Sequence, residues 1–355
     1  MQNTLLVTTT TDLSAERSLG ATAYMMEALA KGRTHGSPWL LLSRPTTSAV
    51  VLGRYQSIRS VNYQACRSAG LSVLRRLTGG TTLYLGPGTL HYALAFSLQN
   101  GPIDCRPRQI LQKYGATVTA MLTALKLRGR YFGKDLVSSG DQPVGLLSFE
   151  LDAAGVGLIE SVIGVERVVR PSGEVLGQGD YAVNDEDVLG TLLGLRPDLD
   201  SAEVTSAAFK AASGLFGARL QERSFLPLEC ERIKMLVRRA RVSESDEMDG
   251  RSYGKRWRSG PVPESIGVVE ATVGVTQGRF LTDVTIQGDF MADSPSVAQL
   301  QQRLRMCPVE RRQVALIIDE VFGAPNHVIL GIRRLGSILD AILDAAGKGV
   351  AKVEG

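Results

Sequence analysis

The chain is 355 residues long, 44% hydrophobic and 21% charged, with a formal net charge of +4. That composition belongs to a globular protein with ample core, and the length suits one large domain plus a smaller one. The charge is too small for a dedicated nucleic-acid binder, and no apolar run approaches the roughly 18 residues of a membrane span.

The start, MQNTLLVTTTTDLSAERSLG, has no basic segment leading into an apolar one, so a cytoplasmic location is expected. Cys66, Cys105, Cys230 and Cys307 lie far apart with no C-x-x-C pair and read as reduced thiols, not as a zinc site or a disulfide framework.

Taken in chain order, SAERSLGATAYMMEALAKG has helical spacing and predicts a first helix from Leu13 to Ala30, with Asp12 or Ser14 as N-cap and Gly32 as stop. WLLLSRP and SAVVLGRY read as buried strands, VNYQACRSAG as a short helix closed by Gly70, and LSVLRRL as the next strand. TLYLG and TLHYALAFSL predict a hairpin about Pro87 and Gly88, and RPRQILQKYGATVTAMLTALKLRG a long amphipathic helix. YFGKDLVSSGDQPVGLLSFEL and GLIESVIGVERVV follow as antiparallel strands with a turn near Gly140. Residues 184–214 read as helical.

From about residue 231 to 264 the composition shifts to charge, serine, glycine and proline, with Arg232, Lys234, Arg238, Arg239 and Arg241 crowded together. Such a run is either a solvated face or a docking surface for an acidic partner. Beyond it come alternating strands with a turn at Gln277-Gly278, then the helices SPSVAQLQQRLR and PVERRQVALIIDEVFG. Without regular β-α-β alternation the fold class is α+β, with mixed, largely antiparallel sheets. The expected organisation is a large domain over residues 1–230, a basic linker over 231–263 and a small α+β domain over 264–355.

The stretch RRLTGGTTLYLGPGTLHYAL, residues 75–94, sets two arginines beside a loop nearly free of side chains. Backbone N–H groups without Cβ obstruction, next to guanidinium charge, suit an anion; a tight turn with solvated arginines fits the same residues. Upstream, Arg54 and Gln56 follow a buried strand, and downstream Lys134 and Asp135 stand at a strand boundary, so these groups can converge on one cleft. His91, in an apolar strand, is either a hydrogen-bonded core residue or a ligand contact.

These residues resemble the lipoate-protein ligase family, within the biotin and lipoate ligase superfamily. The family loop reads R-R-x-S-G-G-G-x-V-x-H-D-x-G-N, and Arg75, Arg76, Thr78, Gly79, Gly80, Leu83 and Gly88 match it in register. Gly53, Arg54 and Gln56 match its G-R-x-Q, and Gly288, Asp289 and Phe290 match the G-D-F of its small accessory domain. The resemblance implies ATP-dependent activation of lipoate or octanoate to an acyl-adenylate, with Mg²⁺, then transfer to a lysine of an acidic lipoyl carrier domain. Lipoate or adenylate contacts are expected at Arg54, Gln56, Arg75, Arg76, Thr78, Gly79, Gly80, Thr81, Thr89, His91 and Gly145, a catalytic and magnesium-holding role at Asp135, and a catalytic role at Lys134, whose side chain leaves the end of the neighbouring strand and can swing into the place of the family's lysine.

Several positions depart from the family pattern. Pro143 stands where a lysine is usual, Lys134 where an asparagine is usual, and Thr81, Leu85, Gly86 and Thr89 replace the third glycine, the H-D pair and the asparagine. Two alternatives follow: a non-catalytic or partner-dependent relative that binds a lipoyl group or carrier, and an acyltransferase moving octanoyl or lipoyl groups between carriers. The second needs a thiol nucleophile, for which Cys66 and Cys105 are the candidates.

Overall fold

The computed structural model describes residues 3–99, 105–177, 189–243, 255–277 and 279–353. The chain opens with β1 (Thr4–Thr10), α1 (Ala15–Ala30), β2 (Trp39–Ser43), β3 (Ala49–Leu52), α2 (Tyr63–Ser68), β4 (Ser72–Arg75), β5 (Leu83–Leu85) and β6 (Thr89–Ser97). The caps follow from the sequence: Ser14 accepts from the Arg17 amide to start α1, and Asn62 accepts from the Ala65 amide to start α2.

Next come α3 (Ile110–Tyr114), α4 (Ala116–Ala124), β7 (Gly129–Tyr131), β8 (Leu136–Ser139), β9 (Gln142–Leu151), β10 (Val156–Gly164), α5 (Leu192–Leu195), α6 (Ser201–Phe216), β11 (Arg219–Glu222) and α7 (Pro227–Ala240). The single long helix expected after Arg106 is divided, with Gly115 between α3 and α4. The expected helical start over 184–188 lies outside the described residues.

Among the described residues β11-β1-β2-β6-β10-β9-β8-β7 form one sheet, antiparallel except where β1 meets β11 and β2. Period-two alternation along β2 shows how its faces divide. Leu40 and Leu42 join the core with Tyr114, Val118 and Ala208 of the helices α3, α4 and α6, while Trp39 and Leu41 pack with Tyr24 and Met25 of α1. A small sheet, β4-β3-β5, covers another part of that second face through Ala49, Val51, Leu83 and Leu85 against Leu146 and Val162.

The hairpin expected about Pro87 and Gly88 is a correction. β5 pairs with β3 in the small sheet and β6 with β2 and β10 in the large one. Both segments are apolar on both faces, which suits strands sandwiched between layers as well as a hairpin, and local pattern does not distinguish the two.

The segment expected as a linker begins, instead, inside a helix. α7 starts at Pro227, where the Glu229 carboxylate accepts from the Leu226 amide at 2.9 Å. Ile233, Leu236, Val237 and Ala240 repeat at helical spacing and are buried, and α7 packs on α1 where Gly20 allows contact: a Cβ there would lie 2.9 Å from the Ile233 carbonyl oxygen.

The remaining elements are β12 (Arg256–Arg258), β13 (Val262–Pro263), β14 (Val268–Val275), β15 (Leu281–Gly288), β16 (Met291–Ala292), α8 (Ser294–Leu304), α9 (Arg311–Gly323), β17 (Ile329–Leu330) and α10 (Gly336–Val353). Their own core joins Val269, Ala271, Val284 and Ile286 of the strands to Leu300, Ile318 and Ile342 of the helices. Of the expected turn between β14 and β15, Gly278 lies outside the described residues. No helix among the described residues is long and apolar enough to cross a membrane.

Candidate functional site

β3 and β4 run parallel with Leu52 opposite Arg75, so the turn after each strand leaves the small sheet side by side. The Arg54 amide donates to the Thr78 carbonyl at 2.8 Å and the Arg76 amide to the Leu52 carbonyl at 3.0 Å, binding the two turns together. Arg75 Nη1 donates to the carbonyls of Gly53 at 2.9 Å and Gln56 at 2.6 Å. Arg76 is buried, and its Nη2 donates to the carbonyls of Gly79 at 2.6 Å and Thr81 at 2.9 Å. Arg76 therefore braces the glycine loop and Arg75 the turn after β3, placing fixed positive charge at both.

Two amides expected to face a ligand are turned toward protein. Gly79 donates to the Phe149 carbonyl at 3.3 Å and Gly80 to the Phe290 carbonyl at 3.1 Å. A Cβ at Gly79 would lie 2.5 Å from the Phe290 oxygen, and Gly80 has φ +90°, so glycine is what lets the loop meet the 290–291 segment. Gln56 and Asp289 lock the same junction. Gln56 Nε2 donates to Asp289 Oδ1 at 2.5 Å, its Oε1 accepts from the Gly53 amide at 2.6 Å, and Tyr55 stacks on Phe290 with ring centroids 4.8 Å apart.

Beneath the loop lies a sealed polar network. Thr78 Oγ1 donates to Glu160 Oε2 at 2.6 Å and accepts from Arg76 Nε at 3.1 Å and Ser148 Oγ at 2.9 Å; His91 Nε2 lies 3.2 Å from Glu160 Oε1. Burial alone would raise the Glu160 pKa, but the contacts with His91, Thr78 and Arg76 outweigh it and hold the carboxyl below its ordinary value. Burial also lowers the Arg76 pKa to about 10 against the attraction of Glu160, Asp135 and Asp289. The cavity at this network is about 10 Å³, room for about one water and not for an acyl chain.

A larger cavity, about 320 Å³, lies on the other side of Arg76. Leu19, Ala23 and Met26 of α1 and Leu236 and Ala240 of α7 give it an apolar wall, completed by Leu77. Arg54, Arg75, Arg76 and Arg239 line it with the carboxylates of Glu27, Glu150 and Asp152, and with Ser294. Arg54 Nη1 is 3.6 Å from Glu150 Oε1, to which Ser294 Oγ also donates. Such a space offers an apolar slot ending at cations, as an amphipathic acid or acyl phosphate requires.

Of the expected site residues, Arg54, Arg75 and Arg76 meet at this cavity, while Thr78, Gly79 and Gly80 form the loop beside it. Thr81 donates to Asp135 Oδ2 at 2.6 Å, tying the loop to β8. Asp135 does not fit the magnesium role in this arrangement, because it is buried, bonded to Thr81 and absent from the cavity lining. Among the described residues no cluster of three or more histidine, cysteine or acidic side chains is placed to hold a metal ion. Thr89 closes its own turn through the Gly86 carbonyl at 2.8 Å, and Gly145 pairs with Ile163 between β9 and β10. His91 belongs to the sealed network. Lys134 is exposed and does not line the cavity, and Pro143 sits in β9 opposite Ser138.

The thiol candidates are also away from it. Cys66 packs among Val50, Leu52 and Val73 with its pKa raised by burial, and Cys105 lies in the core under the large sheet. The residues that sequence reasoning missed are Ser148, Glu150, Glu160 and Ser294. A signal for two of them was present, since Glu150 in GLLSFEL and Glu160 in GLIESVIG are carboxylates inside apolar strands, where burial demands a partner or a task.

Residues 17–143 match a sequence family described as the lipoyl protein ligase A/B catalytic domain. No curated protein matches the chain. Among solved structures, Plasmodium falciparum LipL1 in complex with lipoate superposes with a TM-score of 0.68 at 13% identity, covering 96% of this chain and 99% of that one. A bipartite lipoate protein ligase studied with its E2 lipoyl domain, from Thermoplasma acidophilum, gives 0.55 at 20% identity over 72% of this chain and 99% of its own. Lipoate-protein ligase A bound with ATP gives 0.54 at 17% identity over 69% and 98%. Residues 17–143 are thus similar to the lipoyl protein ligase A/B catalytic domain, and the chain has the fold seen in these lipoate-protein ligase structures.

Proposed function

We propose that this protein attaches a lipoate-type acyl group, lipoate or octanoate, to a lysine of an acidic lipoyl carrier domain by way of an acyl-adenylate formed with ATP. The observation that carries this reading is the cavity of about 320 Å³ in which Arg54, Arg75 and Arg76 meet an apolar wall built by α1 and α7. The acyl chain lies along the wall and the phosphate end against the arginines. Charge that builds on oxygen as the acyl carbon is attacked then meets cations already fixed by the loop carbonyls, so little reorganisation accompanies the reaction. In this reading the large domain, extended through α7 to Ala240, carries most of the site, residues 264–355 close over the loop and add Ser294, and all reactants are cytoplasmic. Arg238 and Arg239, exposed at the end of α7, give an acidic carrier a docking edge at the cavity rim.

A second reading concerns the source of the adenylate. Gly79 and Gly80 spend their amides on Phe149 and Phe290, and Pro143 stands where the family has a lysine, which favours an adenylate supplied by a partner. One experiment separates the two. The mass of a lipoyl carrier domain is measured after incubation with this protein plus either lipoate and ATP or preformed lipoyl-AMP. An adduct in both arms supports a complete ligase, an adduct with lipoyl-AMP alone supports the second reading, and an adduct in neither rejects acyl transfer.

A further inference from the structure

Attack by a lysine on an activated acyl group requires the ammonium to lose a proton first. We propose that Glu150 is the base that takes the proton from the incoming lysine. This inference rests on the acyl transfer proposed above and adds to it a residue that faces the acceptor instead of the acyl donor.

The geometry starts from β9. Alternation sends Phe149 into the core under the large sheet and puts Ser148 and Glu150 on the opposite face, Ser148 under the loop and Glu150 at the cavity. The other carboxylates of the lining are engaged. Glu27 pairs with Lys31 and Arg232, and Asp152 Oδ1 accepts from the amides of Ala154 and Val156. Glu150 differs: Oε1 is held by Ser294 and Arg54, while Oε2 is buried and accepts no hydrogen bond among the described residues. A buried carboxylate oxygen without a donor is costly to keep, and an ammonium or amine entering the cavity would satisfy it.

The surroundings also suit the task. Burial pushes the Glu150 pKa up to about 8, against the opposing pull of Arg54 and Ser294, and Asp152 and Asp293 add to the rise. Tyr55 faces the same carboxylate, with its own pKa raised, first by burial. A base with a pKa near that of the working solution accepts a proton and gives it up again readily.

The step balances. One proton passes from the lysine ammonium to Glu150, and the freed nitrogen lone pair forms the bond to the acyl carbon. The bond from that carbon to the phosphate oxygen breaks, and AMP leaves with the electron pair. The nitrogen releases its second proton to solvent, as Glu150 afterwards releases the first. The acyl-adenylate and the carrier lysine are the only reactants.

The test uses the full chain, preformed lipoyl-AMP and two acceptors: the lipoyl carrier domain, and hydroxylamine, which is unprotonated at neutral pH and needs no base. E150Q should slow transfer to the carrier about 100-fold or more and slow the hydroxylamine reaction at least about tenfold less than that. For the wild type, transfer to the carrier should rise with pH and level off above about pH 8, where Glu150 is ionised, whereas titration of the lysine alone would keep it rising toward about pH 10; the hydroxylamine reaction should show no such rise, and this comparison holds even if E150Q folds poorly. E150Q at the wild-type rate toward the carrier, equal losses with both acceptors, or a wild-type profile that is flat or does not level off overturns the base alone. A carrier left unmodified by the wild type overturns the proposed transfer, and the base with it.

Discussion

Gln56 donates to the buried carboxylate of Asp289 at 2.5 Å, joining the turn that follows β3 to the turn that follows β15. These two residues come from the two separate motifs of the chain, G-R-x-Q and G-D-F, and their contact holds the glycine loop against the 290–291 segment. Replacing Gln56 by alanine leaves Asp289 Oδ1 and the Gly53 amide without their partner. The expected loss is about 1–3 kcal/mol, read as a lower denaturant midpoint with an unchanged slope. An unchanged midpoint would show that the junction adds nothing to stability.

Gly79 tests the same junction from the other side. Its missing Cβ is what lets the Phe290 oxygen and the Met291 Cα approach, at 2.5 and 2.7 Å from where that carbon would stand. Both neighbours are backbone, so Gly79→Ala should force the segments apart and cost about 1–3 kcal/mol in chemical denaturation. A variant as stable as the wild type would mean that the loop can shift freely.

The sealed network predicts a larger effect. Glu160 accepts from Thr78 and His91 and sets its charge against the buried Arg76 guanidinium. Glu160→Ala removes the carboxylate that attracts that cation most, leaving only Asp135 and Asp289 to balance it, and the expected loss is about 3–5 kcal/mol of unfolding free energy. A loss below about 1 kcal/mol would indicate that water reaches Arg76 and screens it.

Stability should also depend on pH through Glu150 and Asp289. Burial is the first cause in both, raising Glu150 from 4.5 to about 8 and Asp289 from 3.8 to about 7. A folded pKa above the unfolded value means that the contribution is fully present below the unfolded pKa and is lost as pH rises through the folded one. The unfolding temperature should therefore fall as pH rises from about 4.5 to about 8, and E150Q should flatten the upper part of that fall. Identical slopes in E150Q and wild type would contradict the raised pKa of Glu150.

Much of this was legible in the residues. Ser14, one of two candidate caps, announced the first helix because an N-cap is a local device, and the strands flanking the glycine loop were apolar enough to read directly. The partners of those strands were not legible. Leu83–Leu85 and Thr89–Ser97 look like the arms of one hairpin, yet they belong to different sheets, and only long-range packing decides that. The loop itself was recognised, but not that Arg76 would brace its carbonyls and Arg75 those of the turn after β3, nor that Phe149 and Phe290 would take its amides. Those partners are distant in sequence and use backbone oxygens, which leave no mark on residue identity. α7 was hidden by its charge: a helix that buries one stripe and exposes arginines on the rest has the composition of a linker.

The most direct test of the account is the binding of lipoyl-AMP by calorimetry to the wild type and to two variants of the cavity wall, Ala23→Trp and Arg54→Ala. Ala23 lines the cavity from α1 and is partly exposed, so a tryptophan there fills the acyl slot without entering a packed core. Arg54 removes a charged donor worth about 1.5–3 kcal/mol, roughly ten- to 100-fold in Kd. The account predicts one molecule bound per chain, with affinity lowered about tenfold or more in each variant. Full affinity in Ala23→Trp, or no binding by the wild type, would contradict it.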